Sequence, residues 1–376
     1  MSLTAFGGPQ VHIAYFLERF VEKRGYLTEK ELLELNALCQ ILPGPTSTQT
    51  VTAIGFRIGG PNLAYLTLLF WALPAVTILI FAAIALSTFQ HKEIILHAIR
   101  FIQPMAVGFI AFAAFKITSK VIESKSGILV LILSTLLSLN ASSPFLFPLL
   151  IIIGGLVTAI KYKRQPKIEK NEPLKIKWSN FFLWLSILVT GGALATFTNW
   201  MPIKLFENFY RNGSLIFGGG QVLIPLLYSE FVTLKSYLSS PEFLSGYGLA
   251  QAVPGPVFSF SAYIGALSLR EMGIGGMIYG GLMAAAGIFL PGTFLIFFVI
   301  RFWDNLKRYR IVRASLEGIT AASSGMVIAA AIIMYIPMDH NILNNLLIIS
   351  TFAVLQFTKI KAPFVILAGI LLGIII

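Results

Sequence analysis

Long apolar runs along the chain predict a set of membrane-spanning helices. A helix that crosses a bilayer needs roughly 20 consecutive apolar residues, with a range of about 17 to 25. The runs that approach this length are 63–87, 94–116, 127–160, 179–199, 274–300, 311–337, 341–358 and 362–376. Because 127–160 is too long for one crossing, we expect the turn-forming residues 140–144 to divide it into two short helices.

Two less apolar regions, 6–58 and 214–270, each carry a Gly-Gly pair near the start and a Pro-Gly-Pro in the middle. Proline removes a backbone donor and clashes with the preceding helical turn, so neither region can form one uninterrupted helix. The sequence leaves open whether each region spans the membrane or forms a re-entrant hairpin. Residues 161–177 are rich in lysine and are expected to lie outside the lipid as a linker.

The chain contains a tandem repeat. At an offset of 211, 17 of the 40 positions from 6 to 45 are identical to their counterparts. This register pairs Phe6-Gly7-Gly8 with Phe217-Gly218-Gly219, Gln40 with Gln251, and Pro43-Gly44-Pro45 with Pro254-Gly255-Pro256. Farther along the chain the offset becomes 217, which pairs Pro74 with Pro291 and Gly108 with Gly325.

Loop charge predicts that the two halves are inverted relative to each other. The segment 116–125 holds three lysines, whereas its counterpart around 338–340 holds none. Conversely, 91–93 is neutral overall, whereas its counterpart carries Arg301, Lys307, Arg308, Arg310 and Arg313. Because basic loops favour the cytoplasmic side, corresponding loops are expected to face opposite compartments. The helix at 179–199 supplies the odd crossing that inverts the second half.

These features predict an all-α polytopic integral membrane protein, with about 11–13 transmembrane or re-entrant helices in two homologous halves of inverted topology. The expected divisions are an N-terminal transporter repeat (1–160), a cytoplasmic basic linker (161–178), the extra inverting helix (179–199) and a C-terminal transporter repeat (200–376). Residues 200–215 precede the second Phe-Gly-Gly motif, whereas only 2–5 precede the first, so completeness of the first helix is left open.

Composition supports a lipid environment and excludes several function classes. Apolar residues make up 56% of the chain and charged residues 12%, and the mean hydropathy is +0.82. The net charge of +12 collects between apolar runs, which argues against nucleic-acid binding. Cys39 is the only cysteine and the four histidines are scattered, so no disulfide, metal site or cofactor is expected. An acid-base cluster for an enzyme is likewise not found.

The paired motifs together resemble the chromate transporter family, in its long two-domain form. The motifs that carry the resemblance are Phe6-Gly7-Gly8-Pro9 with His12, Leu42-Pro43-Gly44-Pro45 with Gln49 and Gly55, Phe217-Gly218-Gly219-Gly220 with Pro225-Leu226, and Gln251-Ala252-Val253-Pro254-Gly255-Pro256. The resemblance implies a multi-pass protein of the inner (plasma) membrane that exports the chromate dianion and confers chromate resistance. Sulfate would be the isosteric competitor, and coupling would be antiport by ion exchange or use of the proton gradient.

Broken helices could bind such an oxyanion through backbone N–H groups at their N-termini. Pro43, Pro45, Pro254 and Pro256 are expected to break the helices, and the hydroxyl-rich run 46–50 would then open a second half-helix. Close helix packing is the alternative role for the Gly-Gly pairs. The predicted substrate-binding residues are Gly7, Gly8, His12, Gln40, Gly44, Thr46, Ser47, Gln49, Gly218, Gly219, Gln251, Gly255 and Ser259.

Ionisable residues inside apolar segments predict functional roles because they are costly in lipid. Arg100 aligns with Glu317 at the offset of 217, so we expect these two to form an ion pair or a coupling site, the alternative being that each lies near a helix end and snorkels. His12 could carry a proton or make a structural hydrogen bond. Arg57 could attract anions at one mouth or simply be solvated.

The sequence therefore favours a secondary transporter with a midplane site between the two repeats. A carrier or channel for sulfate or another anion is the alternative. No nucleotide-binding loop occurs, which argues against direct ATP drive. The physiological oxyanion, the coupling ion and the association of two copies are left open.

Overall fold

The computed structural model describes residues 2–6, 8–89, 100–121, 124–140, 146–160, 177–216, 220–303 and 309–375. This part of the chain is all helical. Its α-helices are α1 (Gly8–Phe16), α2 (Glu29–Ile41), α3 (Thr46–Phe89), α4 (Ile102–Val121), α5 (Lys125–Asn140), α6 (Leu146–Ala159), α7 (Ser179–Thr198), α8 (Met201–Leu215), α9 (Gly220–Tyr228), α10 (Ser240–Ala252), α11 (Phe260–Ser268), α12 (Gly273–Val299), α13 (Arg310–Tyr335), α14 (Ile342–Phe357) and α15 (Ala362–Ile375).

Four helical stretches are long and apolar enough to cross a membrane: Thr46–Phe89, Ser179–Thr198, Arg270–Val299 and Ala314–Tyr335. Shorter apolar helices accompany them, among them α5, α6, α14 and α15. The prediction of an all-α polytopic membrane protein is therefore confirmed. The long run 127–160 is divided as expected, since α5 ends at Asn140 and α6 begins at Leu146.

Helix α3 is in fact two helices that meet at Gly59 and Gly60. Gly60 has φ +70° and ψ −164°, which no right-handed helix contains. Pro61 follows directly, and its fixed φ suits the first turn of a new helix. The break separates a short segment after the first Pro-Gly-Pro from a long membrane-spanning segment.

The same backbone conformations recur in both halves of the chain. A π-helical segment follows α1 at Leu17–Glu22 and follows α9 at Ser229–Leu234. Left-handed backbone occurs at positions matched by the offset of 211, in the pairs Gly25 with Ser236 and Gly44 with Gly255, and it recurs at Gly60 and Gly273, where the two long apolar helical segments begin. The sequence repeat is therefore also a repeat of local structure.

Matched capping boxes begin α2 and α10. Thr28 accepts a hydrogen bond from the Glu31 N–H, and the Glu31 carboxylate accepts one from the Thr28 N–H in return. Ser239 and Glu242 make the same pair of bonds at α10. Such a box satisfies two of the N–H groups that a helix start leaves without intrahelical partners.

An arginine binds the capping glutamate in each half. Arg57 pairs with Glu31, and Arg270 pairs with Glu242. Arg57 lies near the end of the short helical segment after the first Pro-Gly-Pro, and Arg270 lies just beyond the segment after the second, so each ion pair joins that segment to the helix before it. Arg57 therefore forms an ion pair within its own half of the chain. Its role in attracting anions stays a prediction.

Helices of the two halves pack crosswise. Helix α13 packs against α4, α5 and α6, and its counterpart α4 packs against α14 and α15, which correspond to α5 and α6. Glycines make the matched contacts close. A Cβ added at Gly325 would lie 2.4 Å from the Leu131 carbonyl oxygen, and one added at Gly108 would lie 2.8 Å from the Ile348 carbonyl oxygen. Reciprocal contacts of this kind are those of a pseudo-two-fold arrangement.

The repeat-related helices α4 and α13 run antiparallel where they meet. The Ser124 N–H, just beyond the end of α4, donates to Glu317 Oε1 in the first turns of α13 at 3.1 Å. The end of one helix therefore lies beside the start of the other. An extensive apolar cluster, which includes Leu79, Ile110, Leu227 and Met326, joins residues of both halves.

We expect Gly318→Val to destabilise the protein by about 1–3 kcal/mol, because a Cβ at this position would lie 1.8 Å from the Gly154 carbonyl oxygen and overpacks the contact between α6 and α13. The melting temperature in detergent measures the effect. Gly191→Val on α7 is the matched control, since nothing lies within 4 Å of its added Cβ. Equal melting temperatures for the two variants would contradict this account of the packing.

Candidate functional site

Each Pro-Gly-Pro forms a sharp turn between two helices. Gly44 has φ +120° and Gly255 has φ +118°, conformations that only glycine adopts without strain. Helix α2 ends at Ile41, and α3 begins immediately after Pro45. Helix α10 ends at Ala252, and Pro256 precedes a 3-10 turn at Val257–Ser259 that leads into α11. Both motifs, with Pro43 and Pro254 at their first positions, thus separate helices.

Reciprocal hydrogen bonds link the two turns to opposite halves. The Gly44 N–H donates to the Ile216 carbonyl oxygen at 2.7 Å, and the Gly255 N–H donates to the Ala5 carbonyl oxygen at 2.9 Å. Ala5 and Ile216 are themselves related by the offset of 211 and directly precede the two Phe-Gly-Gly motifs. Each half therefore completes the turn of the other.

These hydrogen bonds occupy the backbone donors of two predicted substrate-binding residues. The N–H groups of Gly44 and Gly255 both donate to protein carbonyls. The first intrahelical bond of α3 runs from the Gln49 N–H to the Pro45 carbonyl oxygen, at 2.8 Å. The N–H groups of Thr46, Ser47 and Thr48 precede that bond and are the donors that a helix start presents.

Gln49 lies at the crossing of the first turn with α12. Its Nε2 donates to the Pro43 carbonyl oxygen at 2.6 Å and contacts the Gly292 carbonyl oxygen at 3.4 Å. An added Cβ would lie 2.8 Å from this nitrogen at Gly44 and 2.7 Å from it at Gly292, so a side chain at either position would displace the Gln49 amide. Its Oε1 has no hydrogen-bond partner in the described part of the chain, although the side chain is only 2% exposed.

Thr48 and Ser259 form a matched pair of buried hydroxyls. They are related by the offset of 211, are 1% and 0% exposed, and have no partner for Oγ1 or Oγ among the described residues. Neighbouring hydroxyls behave differently, because Thr50 and Thr52 donate to the carbonyls of Thr46 and Thr48, both at 2.8 Å. The two matched hydroxyls are therefore left without a partner in this part of the chain.

His12 joins the two turns through side-chain hydrogen bonds. Its Nε2 lies 3.2 Å from the Ala5 carbonyl oxygen, the same atom that accepts from Gly255, and its Nδ1 lies 3.0 Å from Ser47 Oγ. A carbonyl only accepts, so Nε2 carries the hydrogen and Nδ1 of the neutral ring accepts from Ser47. The ring also contacts Trp71 edge-on at 5.0 Å. The His12 side chain thus makes hydrogen bonds within the protein, and its alternative role as a proton carrier stays a prediction.

The glutamines matched between the repeats lie in more open surroundings. Gln40 is exposed and Gln251 is partly exposed, in contrast to buried Gln49. Gly8 begins α1, whereas the predicted site residues Gly7, Gly218 and Gly219 lie outside the described residues.

The predicted ion pair between Arg100 and Glu317 is not formed. Glu317 accepts from Ser124 beyond the end of α4, whereas Arg100 precedes the start of α4 and lies over the Phe101 ring. The 20 residues of α4 separate them by about 30 Å at 1.5 Å per residue. When two repeat-related helices run antiparallel, residues matched near the helix starts lie at opposite ends of the helix pair. The self-alignment therefore matched Arg100 with Glu317 although the two residues are far apart.

Two polar features of the second half were missed by sequence reasoning. Asn212 on α8 is fully buried, and neither side-chain polar atom has a partner in the described ranges. Asn212 lies one helical turn before Ile216, whose carbonyl oxygen accepts from the Gly44 N–H. Its closeness in sequence to the second Phe-Gly-Gly motif was the sequence feature that could have identified it.

The other missed feature is a buried charge network. Arg211 Nε lies 2.8 Å from Glu207 Oε1, and Arg211 Nη2 and Lys235 Nζ lie 3.0 and 2.7 Å from Glu230 Oε1. Glu230 is 1% exposed. Two cations and two carboxylates neutralise each other here, as burial requires. The i, i+4 spacing of Glu207 and Arg211 was the one feature of the sequence that indicated an ion pair here.

Comparison with known proteins agrees with this architecture. The sequence profile described as Chromate transporter matches the chain twice, over residues 1–159 and 203–374. An uncharacterized transporter of Methanocaldococcus jannaschii is 25% identical over 384 residues, which covers 100% of this chain and 92% of the relative.

Two further relatives carry names that state a function. The chromate transport protein of Cupriavidus metallidurans is 24% identical over 98% of this chain and 89% of its own length. The probable chromate transport protein of Synechococcus elongatus is 24% identical over 88% of this chain and 80% of its own length. No solved structure matches the chain.

The family's members are transport proteins rather than enzymes, and both halves of the chain match its profile. The protein described here therefore belongs to the chromate transporter family, in its two-domain form.

Proposed function

We propose that the protein is a secondary transporter that exports chromate, or a closely related oxyanion, from the cytoplasm across the inner (plasma) membrane. Chromate resistance of the cell would follow from the export. The relatives named as chromate transport proteins support the substrate class, since two of them align with most of this chain. As a secondary transporter it would use antiport with a counter-ion or the proton gradient.

The observation that carries this proposal is the reciprocal bonding of the two Pro-Gly-Pro turns. Gly44 and Gly255 each donate to the opposite half, which brings two broken helices together. The unpartnered hydroxyls of Thr48 and Ser259 follow these turns. Burying polar groups without partners costs about 1–3 kcal/mol each, so their presence in matched positions supports a ligand that satisfies them.

Inverted topology of the two halves is supported by helix direction and by loop charge. Helices α4 and α13 are repeat-related and run antiparallel where they meet, as inversion requires. Lys359 and Lys361 lie between α14 and α15, whereas the corresponding segment 141–145 carries no charged residue. By the positive-inside rule these matched connections belong to opposite sides of the membrane.

Alternating access follows from such an arrangement. Rocking one half against the other would open the site between the turns first to the cytoplasm and then to the outside. Because each turn is completed by the opposite half, the motion would exchange the bonds at Ala5 and Ile216 for others. The site would lie near the midplane of the bilayer.

We expect inside-out membrane vesicles that contain the protein to accumulate chromate, with saturable uptake that depends on an ion gradient. Vesicles without the protein are the control, and radiolabelled chromate uptake is the measurement. Uptake that rises linearly with concentration and needs no gradient would identify a channel. Accumulation of sulfate without chromate would identify a different carrier and contradict the proposed substrate.

We expect Thr48→Val and Ser259→Ala each to lower chromate uptake about tenfold, because a hydrogen bond to a charged ligand contributes about 1.5–3 kcal/mol. Uptake per amount of folded protein is the measurement. Thr52→Val is the matched control on the same helix, since the Thr52 hydroxyl already donates to the Thr48 carbonyl oxygen. If the Thr48 and Ser259 variants transport as well as the control, the site lies elsewhere.

A further inference from the structure

Helix α10 of the second half packs closely against the start of α4 of the first half. A Cβ added at Gly248 would lie 2.2 Å from Ile102 Cγ2 and 3.6 Å from Ile102 Cβ. Ile102 is 0% exposed, and Leu244, one helical turn before Gly248, is 1% exposed. This contact therefore closes the two halves of the chain against each other.

Loop charge assigns the contact between α10 and α4 to the outer side of the membrane. Helix α4 ends at Val121, within the lysine-rich segment 116–125 that the positive-inside rule assigns to the cytoplasm. Ile102 is the first residue of α4 and lies about 30 Å from that end at 1.5 Å per residue. The contact at Gly248 therefore belongs to the opposite, outer side.

The matching face of α2 is uncovered in the described part of the chain. The offset of 211 pairs Leu33 with Leu244 and Ala37 with Gly248. Leu33 is 51% exposed although its counterpart Leu244 is 1% exposed. Ala37 is likewise exposed, whereas Gly248 is buried. The same stripe of the repeated helix is thus packed in the second half and open in the first.

The matching face of α13 is more open than that of α4. The offset of 217 pairs Ile319 of α13 with Ile102 of α4. Ile319 is partly exposed, whereas Ile102 is fully buried. Helix α13 begins at Arg310, beside the basic residues that the positive-inside rule assigns to the cytoplasm. A contact of α2 with Ile319 would therefore lie on the cytoplasmic side.

Charged residues indicate that the uncovered face of α2 is turned to water and not to lipid. Lys30 and Glu34 lie on the same side of the helix as Leu33 and Ala37, at spacings of three and four residues. Ionised side chains are costly in hydrocarbon. The exposure of Leu33 to water is itself unfavourable, so this face gains free energy when an apolar partner covers it.

We propose that Leu33 and Ala37 of α2 close onto Ile319 of α13 in a second conformation, as α10 closes onto α4 here. The two contacts alternate during transport, so that one seals the outer side and the other seals the cytoplasmic side. The structure described here is then the state that is sealed on the outside. This inference rests on the proposed function and names the surfaces that would perform its alternating access.

The residues of the two contacts favour conformations of similar free energy. Leucine occurs at both 33 and 244, and isoleucine occurs at both 102 and 319. Closing one contact while opening the other therefore exchanges similar apolar side chains between packed and open surroundings. A protein with two such conformations responds to a ligand that binds one of them better, which is what coupling to substrate requires.

Disulfide bonds in the full-length protein test the proposal, in a background where Cys39, the only cysteine, is replaced by alanine. The first pair is Gly248→Cys with Ile102→Cys, whose Cβ separation of 3.6 Å suits a disulfide. Oxidation of this pair should lower chromate uptake by vesicles at least about tenfold, and a reductant should restore uptake, because the outer contact can then open again.

The second pair is Ala37→Cys with Ile319→Cys, which reports the proposed contact. The matched control is Ala37→Cys with Ile311→Cys, at a more exposed position of α13 that lies about 12 Å from Ile319 along the helix. We expect the second pair to oxidise about tenfold faster than the control, since a disulfide needs close approach of the two Cβ atoms. Thiol titration of the monomer measures oxidation, and uptake should stop once the bond forms.

The inference is overturned if the second pair oxidises no faster than its control, or if a disulfide of either pair leaves chromate uptake unchanged. Wild-type uptake would keep the proposed function standing in that case. The first pair replaces buried residues; if it fails to fold, the second pair, at more open positions, decides alone. Absence of chromate uptake by the wild-type protein would refute the proposed function, whereas thiol titration needs no chromate and would still show whether the second contact forms.

Discussion

Two backbone hydrogen bonds, from Gly44 to Ile216 and from Gly255 to Ala5, join the two halves of the chain at their Pro-Gly-Pro turns. A helix broken within an apolar protein leaves N–H and C=O groups that neither lipid nor water can satisfy there. This chain satisfies them crosswise, so that each half completes the broken helix of the other. The close matched glycine contacts of α4 with α14 and of α13 with α5 follow the same pseudo-two-fold relation.

The symmetry of the backbone does not extend to the side chains that face the turns. Gln49 corresponds to Phe260 and His12 corresponds to Leu223, so the amide acceptor and the imidazole occur in the first half only. The buried network around Arg211 and Glu230 is not matched in the described part of the first half, because Glu230 corresponds to Arg19. The two halves therefore share a backbone but differ in the polar side chains near the turns. The hydroxyls of Thr48 and Ser259 are a polar feature that both halves have in common.

The sequence predicted the features that depend on local patterns. Apolar run length located the spanning helices, and the self-alignment located both Pro-Gly-Pro breaks and Ser259, the counterpart of Thr48. What it could not predict is which atoms satisfy the broken ends, because the acceptors Ala5 and Ile216 belong to the opposite half. The structure does not pair Arg100 with Glu317 for a related reason: an alignment identifies equivalent positions, and equivalent positions need not lie close together.

The central claim is that the two halves insert in opposite orientations around one shared site. Side-specific labelling tests it most directly, in a background where Cys39, the only cysteine, is replaced by alanine. Single cysteines are placed at exposed Lys125, the first residue of α5, and at exposed Asp339, in the connection from α13 to α14. A membrane-impermeant maleimide should reach position 125 only from the cytoplasmic side and position 339 only from the outside. Labelling of both from the same side would contradict the account.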